Sequence, residues 1–297
     1  MNKKMRGNLM LLVTALIWGT AFVAQSAGMD HVEPFTYNGI RTLIGGLVLI
    51  PVILFFDRIK PAEQRLSAEE QKTVTRNSVI GGVFCGLFLF VASSFQQFGI
   101  SMTTAGKAGF ITALYIVLVP IAGLFLKKKA PRAIWLSVAL AVAGLYFLSI
   151  NEEFHITQGD FLMLLCALCF TGHIMVIDHF TQRVNGIELS CMQFLFCALL
   201  SGGGMVLTET PTWAGIVSCA IPLLYVGILS SGVAYTLQIL AQKGSNPTVV
   251  SLLMSLESVF ATVFGALILH EMMSGREIFG CGLMLVAVVL AQLPASK

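Results

Sequence analysis

The sequence has few charged residues. Asp, Glu, Lys and Arg together make up 11% of its 297 residues, whereas 56% of the residues are hydrophobic. A water-soluble domain of this size cannot bury so large an apolar fraction, but a lipid bilayer solvates it. The shortage of charge therefore excludes a soluble domain and predicts an all-α integral membrane protein.

Motifs of catalysis and nucleotide binding are missing as well. There is no GxGxxG after a strand, no P-loop and no HExxH, because His270 and Glu271 continue as Met-Met-Ser. Cys166 and Cys169 form a CxxC inside an apolar run without partner ligands, which is typical of helix packing. The sequence thus predicts no cofactor and no metal, and without an ATP-binding motif any transport is driven by a gradient or by the substrate.

Ten apolar runs have about the 17 to 25 residues that cross a bilayer core. The first run is interpreted as a retained helix rather than a signal peptide, because nine more runs follow it. We number these runs as spans one to ten; they cover residues 8–28, 34–56, 78–98, 104–126, 132–150, 159–178, 187–207, 217–240, 247–269 and 276–294.

Lys and Arg are distributed unevenly between the two sides of the membrane. With a cytoplasmic N-terminus, fifteen of the eighteen lie in inside segments, only Arg276 lies outside, and Arg41 and Lys107 lie within spans. Cytoplasmic loops carry such an excess of basic residues. We therefore predict a plasma-membrane protein with both termini in the cytoplasm. The net charge of +3 reflects this sorting between the two sides of the membrane. The sequence has no basic, aromatic-rich patch, so it predicts no nucleic-acid partner.

An internal repeat underlies the ten spans. A shift of 142 residues without a gap places Gln96 on Gln238 and Gly123 on Gly265, and hydropathy and turns match around these positions. Five spans per half is an odd number, so the second half enters the membrane in the opposite sense. We predict two inverted five-helix repeats, residues 1–150 and 159–297, joined by an outer linker at 151–158. Such repeats place a substrate site between the halves near the midplane.

Ionisable residues inside the spans are candidates for substrate binding or coupling, because a charge at bilayer depth is costly unless it is paired or faces water. Arg41 shares a helix face with Tyr37 and Asn38, and it either contacts substrate or anchors a neighbouring helix. Lys107 either attracts an anionic group or extends to the interface. Glu257, deep in span nine, either binds a substrate amine or couples protons, or it is a neutral hydrogen-bonded acid.

Neutral polar and aromatic residues complete the candidate site. Gln96, Gln97 and Gln238 lie near the ends of spans three and eight, where amides either read polar groups of a substrate or join helices. Trp18, Tyr115 and Tyr235 are candidates for the apolar wall of a pocket, with packing as the alternative. His173 in span six is either proton-responsive or simply hydrogen-bonded.

Short motifs give the chain a resemblance to a known family. They are Trp-Gly at 18–19, Arg41, GKAGFITALYIVLVP at 106–120, LESVFA at 256–261, and Glu271. With them the chain resembles an EamA-type member of the drug/metabolite transporter superfamily over essentially its whole length. It departs from the family pattern at Ser258, where proline is common, and at Lys127–Lys129, which replace a glycine-glutamate ending.

The resemblance implies a ten-helix basket whose central cavity is lined mainly by spans three, four, eight and nine, with contributions from one and six. Family members move amino acids, related metabolites or amphipathic drugs, usually outward. The predicted function is a secondary transporter of small metabolites, an exporter of amino acids or related compounds, with protons as a possible coupling ion. Three alternatives stay open: a multidrug exporter of amphipathic cations, an intramembrane enzyme using Glu257 with His173, and a structural or sensory subunit.

Overall fold

The apolar runs form helices throughout the part of the chain that the computed structural model describes, residues 3–59, 67–103, 105–126, 132–149, 157–269 and 274–292. No strand occurs in these ranges. The helices are α1 Lys3–Gly28, α2 Pro34–Ile59, α3 Ala68–Ile100, α4 Ala105–Thr112, α5 Tyr115–Phe125, α6 Arg132–Ser149, α7 Gln158–Phe180, α8 Gly186–Thr208, α9 Trp213–Ser218, α10 Ala220–Tyr225, a π-helix Val226–Tyr235, α11 Thr236–Gln242, α12 Pro247–Met254, α13 Leu256–Leu269 and α14 Gly275–Gln292.

The predicted all-α membrane fold is confirmed. Eight of the ten predicted spans coincide with helical segments that are long and apolar enough to cross a membrane. Spans five and ten coincide with shorter apolar helices, Ile134–Phe147 and Ile278–Ala291. The predicted outer linker at 151–158 lies outside the described residues except for Thr157 and Gln158, which begin α7.

Residues 57–77, which the predicted bounds leave between spans two and three, are partly helical. Helix α2 continues to Ile59, and α3 begins at Ala68, about ten residues before the predicted start of span three. The cause is a capping box: Ser67 Oγ accepts from the backbone N–H of Glu70 at 3.4 Å, while the Glu70 carboxylate accepts from the backbone N–H of Ser67 at 2.9 Å. Two N–H groups that the helix cannot satisfy internally are thereby bonded.

Spans four and nine are each broken in the middle, which the sequence analysis did not predict. Span four divides at Ala113 and Leu114 into α4 and α5, and span nine divides at Ser255 into α12 and α13. At both places a backbone N–H donates to the carbonyl of the third preceding residue, as in a 3₁₀-helix, instead of the fourth. Ile116 N–H donates to Ala113 O at 3.0 Å, and Ser258 N–H donates to Ser255 O at 3.1 Å. Helices α4 and α12 begin 142 residues apart and end 142 residues apart.

Span eight contains ten residues of π-helix, Val226–Tyr235. Side chains of α1 hydrogen-bond to carbonyl groups of this segment: Thr14 donates to Ala234 O at 3.0 Å, and the Trp18 indole donates to Ser230 O at 3.4 Å. Such π-segments are rare and frequently lie at functional sites. Here the segment joins α1 to span eight beside the cavity described below.

Helices from the first half of the chain pack against helices from the second half. Helix α2 packs along α8, α3 packs along α7 and α8, and α6 packs along α14. Helix α1 packs against α13, the π-helix and α11. The elements of spans one, three, four, six, eight and nine consequently meet in the centre of the molecule.

A pair of loops joins α2 and α8 at one end. The Glu209 carboxylate accepts the backbone N–H groups of Phe35 and Thr36, each at 2.7 Å, and the Thr36 hydroxyl at 2.7 Å. Glu33 accepts the backbone N–H of Thr210 at 3.1 Å in return. A carboxylate at the first turn of a helix satisfies otherwise unpaired N–H groups and interacts favourably with the helix dipole. The exchange holds the start of α2 to the end of α8.

Candidate functional site

A central cavity of about 460 Å³, a volume that includes space open to solvent, lies between the helices. Eight of the ten predicted site residues line it. The polar ones are Arg41, Gln96, His173, Gln238 and Glu257, and the aromatic ones are Trp18, Tyr115 and Tyr235. Residues separated by more than 200 positions in the sequence therefore share one cavity.

Glu257 and Tyr115 are in direct contact at this cavity. The Tyr115 hydroxyl donates to Glu257 Oε1 at 3.0 Å. Tyr115 is the first residue of α5 and Glu257 the second of α13, so each follows the break in its span. Both side chains are buried, and the bond supplies the acid with a polar partner at a depth where an unpaired carboxyl group is costly.

Arg41 is held in place from its own helix. Its Nε donates to Asn38 Oδ1 at 2.7 Å, and Asn38 Nδ2 donates in turn to the Ser93 carbonyl of α3 at 2.9 Å. Asn38, one of the two residues predicted to share a helix face with Arg41, is thus bonded to it. Arg41 Nη2 has no hydrogen-bond partner among the described residues. The guanidinium is therefore oriented by one edge, with a donor left over for another group.

Aromatic rings form one wall of the cavity. The ring centroids of Trp18 and Tyr235 are 4.6 Å apart with an interplanar angle of 57°, and the rings of His173 and Tyr235 meet edge to face at 5.9 Å. Phe170 also lines the cavity, and its ring meets that of His173 edge to face with the centroids 6.3 Å apart. Sequence reasoning identified Trp18 and Tyr235 but missed Phe170, which has no feature that separates it from other phenylalanines in apolar runs.

His173 bridges spans six and seven. Its Nε2 lies 2.9 Å from Gln193 Oε1 of α8, and its Nδ1 has no partner among the described residues. Which ring nitrogen carries the proton depends on the tautomer, because Gln193 Nε2 is also unpaired and either end of the amide suits this contact. Gln193 does not line the cavity; it fixes the orientation of a histidine that does.

The predicted amides divide into two groups. Gln96 and Gln238 line the cavity, but Gln97 does not: it is fully buried, and its Nε2 donates to the Gln25 carbonyl at 3.4 Å. Gln25 lines the cavity and was missed. It is a polar residue inside span one, so the rule that identified the other candidates applies to it as well. Thr112, at the end of α4, was missed too.

Several expectations fall on residues or side chains outside the part of the chain that the structure describes. Lys107 belongs to α4, but its side chain lies outside the part of the chain that the structure describes. Glu271 and Lys127–Lys129, which bear on the family resemblance, also fall outside the described ranges. Within those ranges, no three His, Cys, Asp or Glu side chains come together as a metal site requires.

Gly19, next to Trp18, explains how α1 comes close to Glu257. A Cβ atom at Gly19 would lie 2.6 Å from Phe260 Cβ, 2.8 Å from the Glu257 carbonyl oxygen and 2.9 Å from the Ala261 N atom. Only a residue without a side chain permits this approach. The Trp-Gly pair at 18–19 thus places an aromatic ring in the cavity and lets α1 pack directly on α13.

Comparison with known proteins identifies the family. The model of the EamA-like transporter family matches this chain twice, at residues 5–150 and 157–293. An uncharacterized transporter of Archaeoglobus fulgidus is 32% identical over 294 residues, which cover 98% of this chain and 87% of the relative. A WAT1-related chloroplastic protein of Arabidopsis thaliana is 24% identical, over 96% of this chain and 69% of its own length.

A solved crystal structure shares the fold. It covers 96% of this chain and 96% of its own, with a TM-score of 0.77 and 19% sequence identity. At this identity the similarity concerns the fold alone, and the family assignment depends on the sequence matches. The chain is a multi-pass membrane transporter, and it belongs to the EamA-like transporter family of the drug/metabolite transporter superfamily.

Proposed function

We propose that this protein is a secondary active transporter that moves small metabolites by alternating access, exporting amino acids or related compounds across the plasma membrane. The observation that carries the proposal is the Tyr115–Glu257 hydrogen bond. The bond joins two broken spans at the wall of a central cavity. Its two residues are 142 positions apart, which is also the shift between the predicted repeats. A site made by two equivalent segments suits a transporter whose halves exchange conformations.

Helix packing supports two inverted repeats, residues 1–150 and 159–297 with the linker at 151–158. The contact of α3 with α7 joins spans three and six, and its counterpart is the contact of span eight with α1. The contact of α3 with α8 has its counterpart in that of the π-helix with α2. The pairs α2 with α8 and α6 with α14 each join a span to its own equivalent. A pseudo-two-fold axis accounts for all these contacts, and exchange of the halves would convert an inward-open cavity into an outward-open one.

The charges in the cavity support a substrate with both an amine and an acid group. Arg41 offers a free donor for a carboxylate, and Glu257 is the acid available to an ammonium group or a proton. A Glu257 carboxyl group that accepts from Tyr115 through Oε1 retains a second oxygen for either role. Proton coupling through Glu257 would make outward transport depend on the pH gradient.

The experiment is counterflow in proteoliposomes loaded with single amino acids, with and without a pH gradient. We expect exchange by the wild type, faster with a gradient, and exchange without pH dependence in Glu257→Gln. Glu69→Gln, at the exposed start of α3, is the matched control. Unchanged pH dependence in Glu257→Gln would remove the coupling role. Absence of exchange for every amino acid would remove the substrate assignment.

Two other candidate functions are tested by the same vesicles. The Trp18–Tyr235 ring pair beside an acidic residue also suits an amphipathic cation, and flux of lipophilic cations alone would favour a multidrug exporter. Glu257 and His173 line one cavity, but each has another hydrogen-bond partner. Appearance of new products by mass spectrometry would favour an enzyme.

The proposed cytoplasmic position of both termini has its own test. Accessibility of a C-terminal tag in right-side-out vesicles would contradict cytoplasmic termini.

A further inference from the structure

Two buried glutamines each join a pair of helices beside the cavity. Gln97 Nε2 of α3 donates to the Gln25 carbonyl of α1 at 3.4 Å, and Gln242 Nε2 of α11 donates to the Ile174 carbonyl of α7 at 2.6 Å. A backbone carbonyl only accepts, so each contact fixes which end of the amide faces the neighbouring helix. Both glutamine side chains are fully buried, and neither lines the cavity, whereas Gln25 and Ile174 do. Each bond therefore ties a segment of the cavity wall to the end of another helix.

The two bonds lie at opposite ends of α1. Gln25 is among the last four residues of this helix. Near the start of the helix, a Cβ atom at Gly7 would lie 3.7 Å from the carbonyl oxygen of Ala241, the residue before Gln242. Gly7 and Gln25 are about 27 Å apart along a helix, close to the thickness of about 30 Å of a bilayer core. One bond thus lies toward the membrane face where α1 ends, and the other toward the face where it begins.

The cavity lies between these two levels. Trp18, near the middle of α1, lines the cavity and donates to the carbonyl of Ser230, which also lines it. Toward one membrane face the cavity wall includes Gln25, and toward the other it includes Ile174. A solute that leaves the cavity toward either face must therefore pass a level at which one of the glutamine bonds joins two helices.

The two contacts correspond to each other under the proposed inverted repeats. Spans one and three correspond to spans six and eight, and in each half an amide near the end of the third span donates to a carbonyl of the first span. Inverted repeats place equivalent segments on opposite faces of the membrane. The shift of 142 residues places Gln97 on Ile239, so Gln242 lies about one turn farther along its helix. The halves thus match in the type and place of the contact rather than residue by residue.

We infer that Gln97 and Gln242 are gating residues of the proposed transport cycle, each of which holds one end of the cavity closed through its bond to the neighbouring helix. The inference rests on the proposed function and identifies residues that control access to its site. In alternating access one end opens while the other stays closed, so each bond exists only while its own end is closed. Both bonds are formed in the structure, which corresponds to the step at which neither end has opened. Loss of one bond shifts the equilibrium toward the state in which that end is open.

The test measures from which side of the membrane a thiol in the cavity can be reached. Ser230→Cys places a thiol in the cavity wall between the two bonds. A charged, membrane-impermeant methanethiosulfonate labels it in right-side-out and in inverted vesicles, and the chain without this substitution gives the background of the seven native cysteines. The quantity compared is the ratio of the labelling rate from the face where α1 ends to the rate from the face where α1 begins.

The two glutamine variants should change this ratio in opposite directions. Gln97→Met removes the donor and keeps a side chain of similar length, so we expect the ratio to rise about fivefold, the effect of one neutral hydrogen bond on a two-state equilibrium. Gln242→Met should lower the ratio about fivefold, and the double variant should return it close to the wild-type value. Where a methionine variant does not fold, asparagine takes its place, because its amide is one methylene too short to reach the same carbonyl.

Thr14→Val is the matched control. The Thr14 hydroxyl is also fully buried, and it donates to the Ala234 carbonyl at 3.0 Å, so it joins spans one and eight at a level between the two glutamine bonds. Loss of this bond loosens the packing without favouring either face, and the ratio should stay at the wild-type value. Glutamines with a merely structural role would behave in the same way as this control.

Each outcome has a defined meaning. A ratio that stays at the wild-type value in either glutamine variant, or that moves in the same direction in both, overturns the inference. Counterflow separates the inference from the proposed function, because the labelling requires no substrate. Opposite shifts of the ratio without exchange of any amino acid would support the gates and remove the substrate assignment. Exchange by the wild type without opposite shifts in the variants would do the reverse.

Discussion

The Tyr115 hydroxyl donates to Glu257 Oε1 at 3.0 Å across 142 residues of sequence. Tyr115 is the first residue of α5 and Glu257 the second of α13, and the helices before the two breaks, α4 and α12, begin and end 142 residues apart. The acid on one span is therefore paired with the tyrosine at the corresponding place on the other. A change of conformation that moves the two spans relative to each other must strain or break this bond.

Tyr115→Phe removes the hydroxyl and keeps the ring. We expect a loss of about 1–3 kcal/mol in the free energy of unfolding, because Glu257 loses the donor that it contacts inside the protein, together with slower exchange in proteoliposomes. Thermal unfolding in detergent measures the first and counterflow the second. Tyr146→Phe, on α6 with the ring half-exposed, is the control and should change neither. Wild-type stability and flux in Tyr115→Phe would show that the contact has no role.

Gly19→Ala tests the close packing of α1 on α13. The new methyl group would overlap the backbone of Glu257 and Ala261, which cannot move aside as a flexible side chain does. We expect destabilisation by about 1–3 kcal/mol. Gly282→Ala is the control, since a Cβ there meets nothing within 4 Å, and alanine in a helix should stabilise by about 0.5–1 kcal/mol. Equal effects of the two substitutions on the melting temperature would contradict the packing explanation.

Much of the site was predictable because of the energetics of the bilayer. A polar side chain in an apolar run is costly unless it has a partner or faces a cavity, so Arg41, His173 and Glu257 were identified without any structure. Gln25, inside span one, satisfies the same rule and lines the cavity, although it was not among the predicted site residues. Phe170 carries no such signal.

The features that were not predicted depend on long-range contacts. The break at Ala113 and Leu114 contains neither proline nor glycine. The π-helix is bonded through Ser230 to Trp18, 212 residues earlier, and Glu209 caps a helix that begins more than 170 residues before it. Neither local propensity nor hydropathy reports such pairs, and a single sequence gives no measure of which distant residues meet.

Glu209→Ala tests the contact between α2 and α8. It removes the acceptor for two backbone N–H groups at the first turn of α2, so we expect a loss of about 0.5–2 kcal/mol in unfolding free energy. Glu209→Gln should lose less, because an amide oxygen still accepts one bond. Asp30→Asn removes an exposed carboxylate and serves as the control in the same thermal unfolding series. An equal effect of Glu209→Ala and Asp30→Asn would mean that charge, rather than capping, is responsible.

Arg41→Lys tests whether the guanidinium performs two tasks at once. Arginine donates through Nε to Asn38 and keeps Nη2 free, whereas lysine has a single ammonium group and cannot reproduce that forked geometry. With serine and ethanolamine as substrates, we expect KM to rise about tenfold for serine, which has a carboxylate, and to stay near the wild-type value for ethanolamine, which has none.

Arg58→Lys, at the exposed end of α2, is the matched control for Arg41→Lys and should leave both KM values unchanged. The comparison separates recognition from structure, because a general loss of folded transporter lowers the maximal rate for both substrates without changing their KM ratio. An equal rise in KM for serine and ethanolamine would mean that Arg41 shapes the cavity without contacting a carboxylate. A selective rise for serine would place the acid group of the substrate next to α2. The substrate group that contacts Glu257 would then carry the opposite charge.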